Sequence, residues 1–230
     1  MPRTADHAQR RAQISRAVRE IIADDGLDAL TVARTAARAG ISVGLVQHYF
    51  RSKDDMLLHA YEEVSSALAA RVSALTEEGV RHERSIARIV CAALVEYLPL
   101  DPNRRAEHRV TRALAARALD NPRLAEVDAR AAEDLHAQLA RAIGNGVECG
   151  EVDADLDRDT AAARLAAVVE GLATQVHRGV PGVADRARAV ARTEVDAVFT
   201  GRCRQYDGAA SGDRGRSSDR LRPPGSAPTT

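Results

Sequence analysis

The residues of this chain best suited to polar recognition of another molecule lie in one short segment, AGISVGLVQHYFRSKDD, residues 39–55. It contains Ser42, Gln47, Tyr49 and Lys53, which is the only lysine in the sequence. A lysine can meet a phosphate oxygen, and a glutamine can bond a phosphate or pair with both polar edge atoms of adenine. The chemistry that this segment offers is hydrogen bonding and one positive charge, which suit an anionic partner.

Two helices are predicted to hold this segment in place. Apolar residues between Ile14 and Ile22 recur at the spacing i, i+3, i+4, i+7, which is one face of an amphipathic helix, and Gly26 is a natural stop. Thr31 is a typical N-cap for a short second helix over residues 32–39. These two helices would form a small core for a third.

A glycine and a serine define that third helix. Gly40 permits a sharp turn, and Ser42 can cap the first amides of a helix over residues 43–49. Val46 and Phe50 are one helical turn apart and are predicted to face the core. Three helices with a glycine turn between the second and third form a helix-turn-helix unit.

The free side of the third helix is predicted to face a DNA groove. It would present Val43 and Gln47, together with Gly44 and His48. Lys53 and the first amides of the next helix would then be placed to meet phosphate.

The rest of the chain is predicted to be a larger helical body. Apolar stripes of helical period recur through it, strand-like alternation is absent from the sequence, and the strong helix formers Ala and Arg are abundant. We therefore expect an all-α fold of about nine helices. The six helices after the helix-turn-helix unit are predicted at about 54–78, 86–97, 110–118, 124–143, 161–176 and 183–200.

Charge is distributed unevenly although the net charge is zero. Residues 1–53 carry nine Arg or Lys against five Asp or Glu, whereas residues 54–200 carry 18 against 25. A basic head on an acidic body predicts an anionic partner for the head only. We expect a helix-turn-helix domain at 8–53, a helical domain at 54–200 and a disordered polar and basic tail at 201–230, which is rich in Gly, Ser, Pro and Arg.

Several classes of function are disfavoured. The cysteines Cys91, Cys149 and Cys203 are widely separated and odd in number, so reduced thiols are expected, with no disulfide framework and no zinc site. The seven histidines form no HxxxH or HExxH pair and no recognised catalytic motif appears, so we expect no metal, no cofactor and no enzyme activity. The polar N-terminus and the lack of an 18-residue apolar run predict a cytoplasmic protein without a membrane span.

Two segments resemble binding loops but fail in detail. The alternating aspartates of residues 153–159 resemble a calcium loop of the EF-hand type. Such a loop has Gly at its sixth position and Glu at its twelfth, but counting from Asp153 these positions hold Arg158 and Arg164. Asp157 or Asp159 is instead predicted to cap the next helix. The stretch GNGVECG lacks the preceding strand and following lysine of a phosphate loop, so it predicts a helix end.

Some polar residues lie on or beside predicted apolar faces and are candidates for contact with a small molecule. A buried polar group needs a partner, which a ligand can supply, although exposure or an internal partner is the commoner explanation for such a residue. The scarcity of aromatic residues argues against a pocket dominated by stacking. The candidate ligand-binding residues are His108, Arg112, Gln138, Glu170 and Gln175.

The segment LTVARTAARAGISVGLVQHYFRSKDDML resembles the DNA-binding signature of TetR-family transcriptional regulators, over roughly residues 10–60. The matching positions, in the family's order and spacing, are Thr31, Ala36, Ala39, Gly40, Ser42, Gly44, Tyr49, Phe50, Lys53 and Leu57. The DNA-binding residues that the resemblance and the helix pattern imply are Thr31, Ser42, Val43, Gly44, Leu45, Gln47, His48, Tyr49 and Lys53.

Three positions depart from the family's usual residues. Thr35 stands where a large aliphatic is common, which predicts looser packing of the second helix. Leu45 lacks a hydroxyl often found there, and Gln47 replaces a tyrosine that contacts phosphate in the family.

The resemblance also implies partners. It implies a homodimer through the last two helices, about 159–178 and 183–200, and a small-molecule effector bound by the helical body. The form GLVQHYF and the stretch GEVDADLDRDTAAARLAAVVEGL, residues 150–172, resemble the subgroup whose C-terminal domain is of the BetI type, which does not fix choline as the ligand. The expected function is a ligand-responsive repressor that binds a near-palindromic double-stranded operator as a dimer.

Two alternatives remain. A DNA-binding protein of the same fold could activate transcription or organise the chromosome without a ligand, with broad genomic occupancy as its mark. A small-molecule carrier or enzyme with a vestigial head would lack sequence-specific affinity for DNA.

Overall fold

The chain folds as an all-α protein in the computed structural model, which describes residues 3–204. Nine α-helices and one short 3-10 helix, Leu27–Ala29, are present in this range, and no strand is found within it, so the predicted fold class and helix number are confirmed. The helices are α1 (Arg3–Asp25), α2 (Val32–Ala39), α3 (Val43–Tyr49), α4 (Lys53–Arg81), α5 (Ile86–Glu96), α6 (Pro102–Ala118), α7 (Pro122–Cys149), α8 (Arg158–His177) and α9 (Val183–Val198).

Side-chain caps set the start of most helices. The hydroxyl of Thr31 accepts from the amide of Arg34 at 3.2 Å, and that of Ser42 accepts from the amide of Leu45 at 3.2 Å. Asp157 caps α8 through two amides of its first turn. The predicted caps are therefore confirmed, because each oxygen satisfies an amide that has no partner inside its helix.

The turn between α2 and α3 depends on one glycine. Gly40 adopts the left-handed conformation, with φ of 67° and ψ of 34°, which a residue with a Cβ atom rarely adopts. The amide of Ile41 then donates to the carbonyl of Ala36 at 3.0 Å, as in a Schellman motif.

Helix α6 begins earlier than its apolar stripe predicts. Pro102 was expected to lie in the break after α5, but it occupies the first turn of α6 behind the N-cap Asp101. Proline is tolerated there because the first amides of a helix have no intrahelical acceptor. Pro122 starts α7 in the same way, behind Asn121.

Two hydrophobic clusters form the interior. The first joins α1, α2 and α3 to the first part of α4, to α6 and to the start of α7, and it includes Ile14, Val46, Phe50 and Leu114. The second joins α5, α7, α8 and α9. The core under the helix-turn-helix unit is thus shared with α4, α6 and α7 of the body.

The segment after α9 begins by packing against the body. The amide of Gly201 donates to the carbonyl of Glu151 at 2.9 Å, and Cys203 is buried. Residues 201–204 are therefore ordered against the expectation of a disordered tail, and residues 205–230 lie outside the described range. No described helix has the length and apolarity that crossing a bilayer would require.

Candidate nucleic-acid interface

Helix α3 has one buried face and one exposed face. Val46 is fully buried and Phe50, at its C-terminal cap, is 3% exposed. Val43 is 43% exposed, and Gln47 and His48 are exposed on the same helix. The predicted orientation is confirmed, since the apolar pair one turn apart anchors the helix and leaves a free side for a partner.

Contacts with α1 fix the position of α3. The ring of Tyr49 meets that of His7 edge-on, with centroids 4.5 Å apart, and also meets the ring of His48 at 5.3 Å. The guanidinium of Arg11 lies 5.4 Å from the centroid of the Phe50 ring, within the range of a cation–π contact. These contacts hold the C-terminal end of α3 while its N-terminal turn stays exposed.

Polar contacts attach α2 to α1. The guanidinium of Arg38 lies 3.0 Å from a carboxylate oxygen of Asp24, and that of Arg34 lies 2.5 Å from Asp25. The side-chain amide of Gln13 donates to the carbonyl of Ala39 at 2.8 Å, next to the turn. The angle between α2 and α3 is therefore supported from α1 as well as by Gly40.

The predicted DNA-binding residues differ in exposure. Leu45, Tyr49 and Lys53 are half-buried. Gly44 is open, because a Cβ atom placed there would meet nothing within 4 Å. Packing within the protomer therefore does not require this glycine. The exposed members of the set are Thr31, Ser42, Val43, Gly44, Gln47 and His48.

The first turn of α4 carries acidic residues as well as Lys53. Asp54 accepts from Arg117, and Asp55 pairs with Arg123 at 2.8 Å. The hydrogen bonds from Arg117 lower the pKa of Asp54 below its ordinary value. Both carboxylates are thus compensated from α6 and α7, so they oppose the positive charge of Lys53 less than free aspartates would.

The candidate ligand-binding residues are not brought together as one lining. His108, on α6, is half-buried, and its Nε2 atom is buried with no hydrogen-bond partner among the described residues. Its ring lies 5.1 Å from that of His177, at the end of α8. Burial, with the nearby His177 and Arg112, lowers the pKa of His108 to about 4. The other candidates, all exposed on the protomer, are Arg112, Gln138, Glu170 and Gln175.

The sequence did not predict the partly buried charge network between α4, α5 and α6. Arg71 pairs with Glu107 at 2.8 Å and with Glu96 at 2.9 Å, and Arg104 pairs with Glu96 at 2.6 Å. Glu107 is only 6% exposed, so its charge depends on Arg71 and on a hydrogen bond from Asn103. The only feature of the sequence that hints at this network is Glu107, which lies about one turn before Val110 at the start of the apolar stripe of α6.

The cysteines also differ from expectation. Spacing predicted no metal site, yet the Sγ atoms of Cys149 and Cys203 and a carboxylate oxygen of Glu151 all lie within 4.8 Å of one another. Cys91 is not part of this group.

Comparison with known proteins agrees with this geometry. Residues 14–60 match the family described as bacterial regulatory proteins, tetR family, and residues 89–200 match the BetI-type transcriptional repressor C-terminal domain. The HTH-type transcriptional regulator PksA of Bacillus subtilis (strain 168) is 26% identical over 173 residues, which cover 75% of this chain and 81% of PksA.

Solved structures share the fold over most of this chain. A transcriptional regulator from Rhodococcus sp. Rha1 superposes with a TM-score of 0.71 at 29% identity, covering 83% of this chain and 96% of that one. A putative transcriptional regulator from Saccharomonospora viridis in complex with choline superposes with a TM-score of 0.67 at 26% identity, covering 82% of this chain and 96% of that one. With an exposed helix in a helix-turn-helix unit and two matched domains, this chain belongs to the TetR family of DNA-binding transcriptional regulators and has a BetI-type C-terminal domain.

Proposed function

We propose that this protein is a repressor that binds a near-palindromic operator as a homodimer and is released by a small molecule. The observation that carries the proposal is the orientation of α3. Val46 and Phe50 anchor one side of α3, and Gln47 and His48 stand exposed on the other. A helix held in this way can enter a major groove without unfolding or rearranging.

In the proposed complex, different residues position and read the DNA. Gln47 bonds a base edge or a phosphate, and Val43 offers an apolar contact to a base. Lys53 meets phosphate, and Gly44 lets the backbone of α3 approach closely. The proposed contact set remains Thr31, Ser42, Val43, Gly44, Leu45, Gln47, His48, Tyr49 and Lys53.

The outer faces of α8 and α9 are the proposed dimer surface. On α8, Ala163, Ala167 and Gly171 are exposed at helical spacing, and a Cβ atom at Gly171 would meet nothing within 4 Å. On α9, Val190 is 40% exposed beside Ala189. Small residues allow two helix pairs to approach closely in a four-helix interface. Dimerisation would place two α3 helices about 34 Å or more apart, one turn of DNA or slightly more.

The proposed effector site includes His108. Within residues 3–204 its Nε2 has no hydrogen-bond partner, and a ligand can satisfy this atom. Burial and the charges of Arg109, Arg105 and Arg112 lower the pKa of His177 beside it, so three positive side chains lie near this position. That charge favours an effector with a carboxylate or another acceptor group over a quaternary ammonium such as the choline bound by the Saccharomonospora viridis regulator.

Effector binding would release DNA by favouring a different separation of the two α3 helices. The available free energy is only the difference in effector affinity between the two states. A coupling of about 1–3 kcal/mol would change operator affinity by roughly 5- to 150-fold. The proposed boundary between the DNA-binding domain and the effector-binding domain falls between residues 53 and 54, in the first turn of α4.

The test is selection of bound sequences from random double-stranded DNA by the full chain, followed by affinity measurement and determination of the mass of the complex. We expect an enriched inverted repeat that binds two protomers. Gln47→Ala should lower affinity for that sequence, whereas Glu126→Gln, an exposed change on α7, should not. Failure to enrich any sequence, or binding of one protomer to a single half-site, would count against the proposal.

A further inference from the structure

Two cysteines far apart in sequence meet beside a buried carboxylate. Cys149 ends α7, Glu151 lies in the turn that follows, and Cys203 lies beyond α9. One ligand atom from each residue, two sulfurs and one oxygen, falls within 4.8 Å of the other two. No step of the proposed DNA recognition uses these side chains.

The carboxylate of Glu151 is held in a fixed orientation. Its side chain is almost fully buried, at 2% exposure. One oxygen accepts from the amide of Ile86 at 2.8 Å and the other accepts from the amide of Ala87 at 2.9 Å, at the start of α5. The Sγ of Cys149 lies 3.5 Å from the first oxygen. A carboxylate oriented by backbone donors resembles a metal ligand supported by its surrounding hydrogen bonds.

Close packing of the segment after α9 brings Cys203 to this position. A Cβ atom at Gly201 would lie 2.2 Å from the carbonyl oxygen of Gly150, so only glycine permits the approach. At Gly146 a Cβ atom would lie 2.8 Å from the ring of Phe199. Both glycines let the segment lie directly on the end of α7, with Cys203 only 9% exposed.

We propose that Cys149, Glu151 and Cys203 bind one thiophilic divalent cation, Zn²⁺ or Cd²⁺, through two thiolate sulfurs and one carboxylate oxygen. Thiolates select such cations, and three protein ligands with one position left for water is a familiar zinc arrangement. Each thiol loses its proton to solvent, so binding releases two protons and leaves a net charge of −1 at the site.

Proton release makes the affinity dependent on pH. Each thiol must lose its proton before its sulfur can bind the cation, so protons compete with the cation for the site. Affinity should therefore increase as pH rises. Occupation of the site would also join the segment after α9 to the end of α7 and the start of α5, so the melting temperature should rise with cation concentration.

The first test uses the unaltered full chain, reduced and stripped of metal, and equilibrated with Zn²⁺ or Cd²⁺. We expect one cation per protomer by elemental analysis after dialysis. Bound cation should protect Cys149 and Cys203 from alkylation, mapped by mass spectrometry, and leave the labelling of Cys91 unchanged. Absence of stoichiometric binding, or equal labelling of all three thiols with and without cation, would overturn the proposal.

The second test uses matched serine variants. Cys149→Ser and Cys203→Ser should each weaken binding at least about 100-fold, because even changes to residues that only orient a ligand cost 10- to 100-fold. Cys91→Ser should bind like the unaltered protein. Retained affinity in the first two variants would exclude this site. A different outcome would also exclude the site. If the reduced protein binds no cation and peroxide joins Cys149 to Cys203 in a disulfide, with a mass loss of two hydrogens, the two cysteines are a redox pair instead.

Discussion

Arg117 donates two hydrogen bonds to Asp54, from Nε to Oδ1 at 3.0 Å and from Nη2 to Oδ2 at 2.9 Å. Asn121 donates a third to the same carboxylate at 2.9 Å. The pair joins the first turn of α4, which follows α3, to the end of α6. Because a bidentate pair fixes orientation as well as distance, a displacement of α6 would carry this turn and the neighbouring Lys53 with it.

Acid should weaken this connection. The hydrogen bonds from Arg117 hold the pKa of Asp54 below its ordinary value, so the contribution of Asp54 to stability is present above about pH 3.9 and is lost as pH falls through the lowered value. Asp54→Asn should be less stable than the unaltered protein at neutral pH, and the difference should shrink below about pH 4. Urea unfolding across a pH series measures it. Glu126→Gln serves as the exposed control. If the stability difference between Asp54→Asn and the unaltered protein does not change with pH, the ion pair of Asp54 with Arg117 is not its cause.

Lys53 is expected to contribute to DNA affinity without reading sequence. Replacing it with alanine should weaken binding to specific and unrelated duplexes by a similar factor, because phosphate is present in both. The slope of log affinity against log salt should fall by about one for each lost contact, or by about two for a dimer that loses one contact per protomer. Lys53→Arg preserves the charge and should keep the slope. Fluorescence anisotropy at several salt concentrations gives both quantities, and an unchanged slope for Lys53→Ala would remove Lys53 from the contact set.

Gly44→Ala should separate DNA binding from stability. Apart from the neighbouring residues and backbone of α3 itself, no atom of the described residues lies within 4 Å of the added methyl group, so folding is unaffected or improves by up to about 1 kcal/mol through helix propensity. A methyl group between α3 and DNA should nevertheless reduce operator affinity about tenfold, or ~1.4 kcal/mol. Thermal unfolding and titration of the operator distinguish the effects. Full affinity would mean that α3 does not approach DNA closely at this position.

Sequence alone predicted α3 well because its determinants are local. Gly40 and Ser42 lie within three residues of its start, and Val46 and Phe50 show the buried side by their spacing. The bounds of Val43–Tyr49 agree with the prediction. Pro102 was misinterpreted because a proline that stops one helix is equally suited to start the next.

Contacts between distant residues could not be predicted in this way. Arg71 and Glu107 are 36 positions apart, and their pairing depends on how α4 packs against α6. Cys149 and Cys203 have no diagnostic spacing, and they meet only because α9 returns the chain to the end of α7. A buried charge or thiol acquires its role from tertiary packing, which a single sequence records too weakly.

Thr31, the N-cap of α2, and Thr35, within α2, should respond in opposite ways to replacement by valine. Thr35 is fully buried, and its hydroxyl has no hydrogen-bond partner in the described part of the chain. Thr35→Val removes that unsatisfied group at nearly constant shape and should raise the free energy of unfolding by about 1 kcal/mol. Thr31→Val removes the cap of α2 and should lower it by about 1 kcal/mol. Denaturant unfolding tests both, and destabilisation by Thr35→Val would reveal a partner for the hydroxyl.

His108 should make stability depend on pH. Its pKa of about 4 lies below the ordinary value of about 6.5, so between these values the unfolded chain binds more protons than the folded protein. The free energy of unfolding therefore increases with pH across this window. His177 acts in the same direction, because burial and the charges of Arg109, Arg105 and Arg112 lower its pKa as well.

His108→Leu tests this dependence. Without the imidazole at position 108, the rise in the free energy of unfolding between about pH 4 and 6.5 should be smaller, although His177 would still contribute. His82→Gln, on the exposed C-terminal cap of α4, is the matched control for removal of an imidazole. If both variants follow the profile of the unaltered protein, His108 is not held neutral by burial, and its Nε2 is accessible to solvent rather than reserved for a ligand.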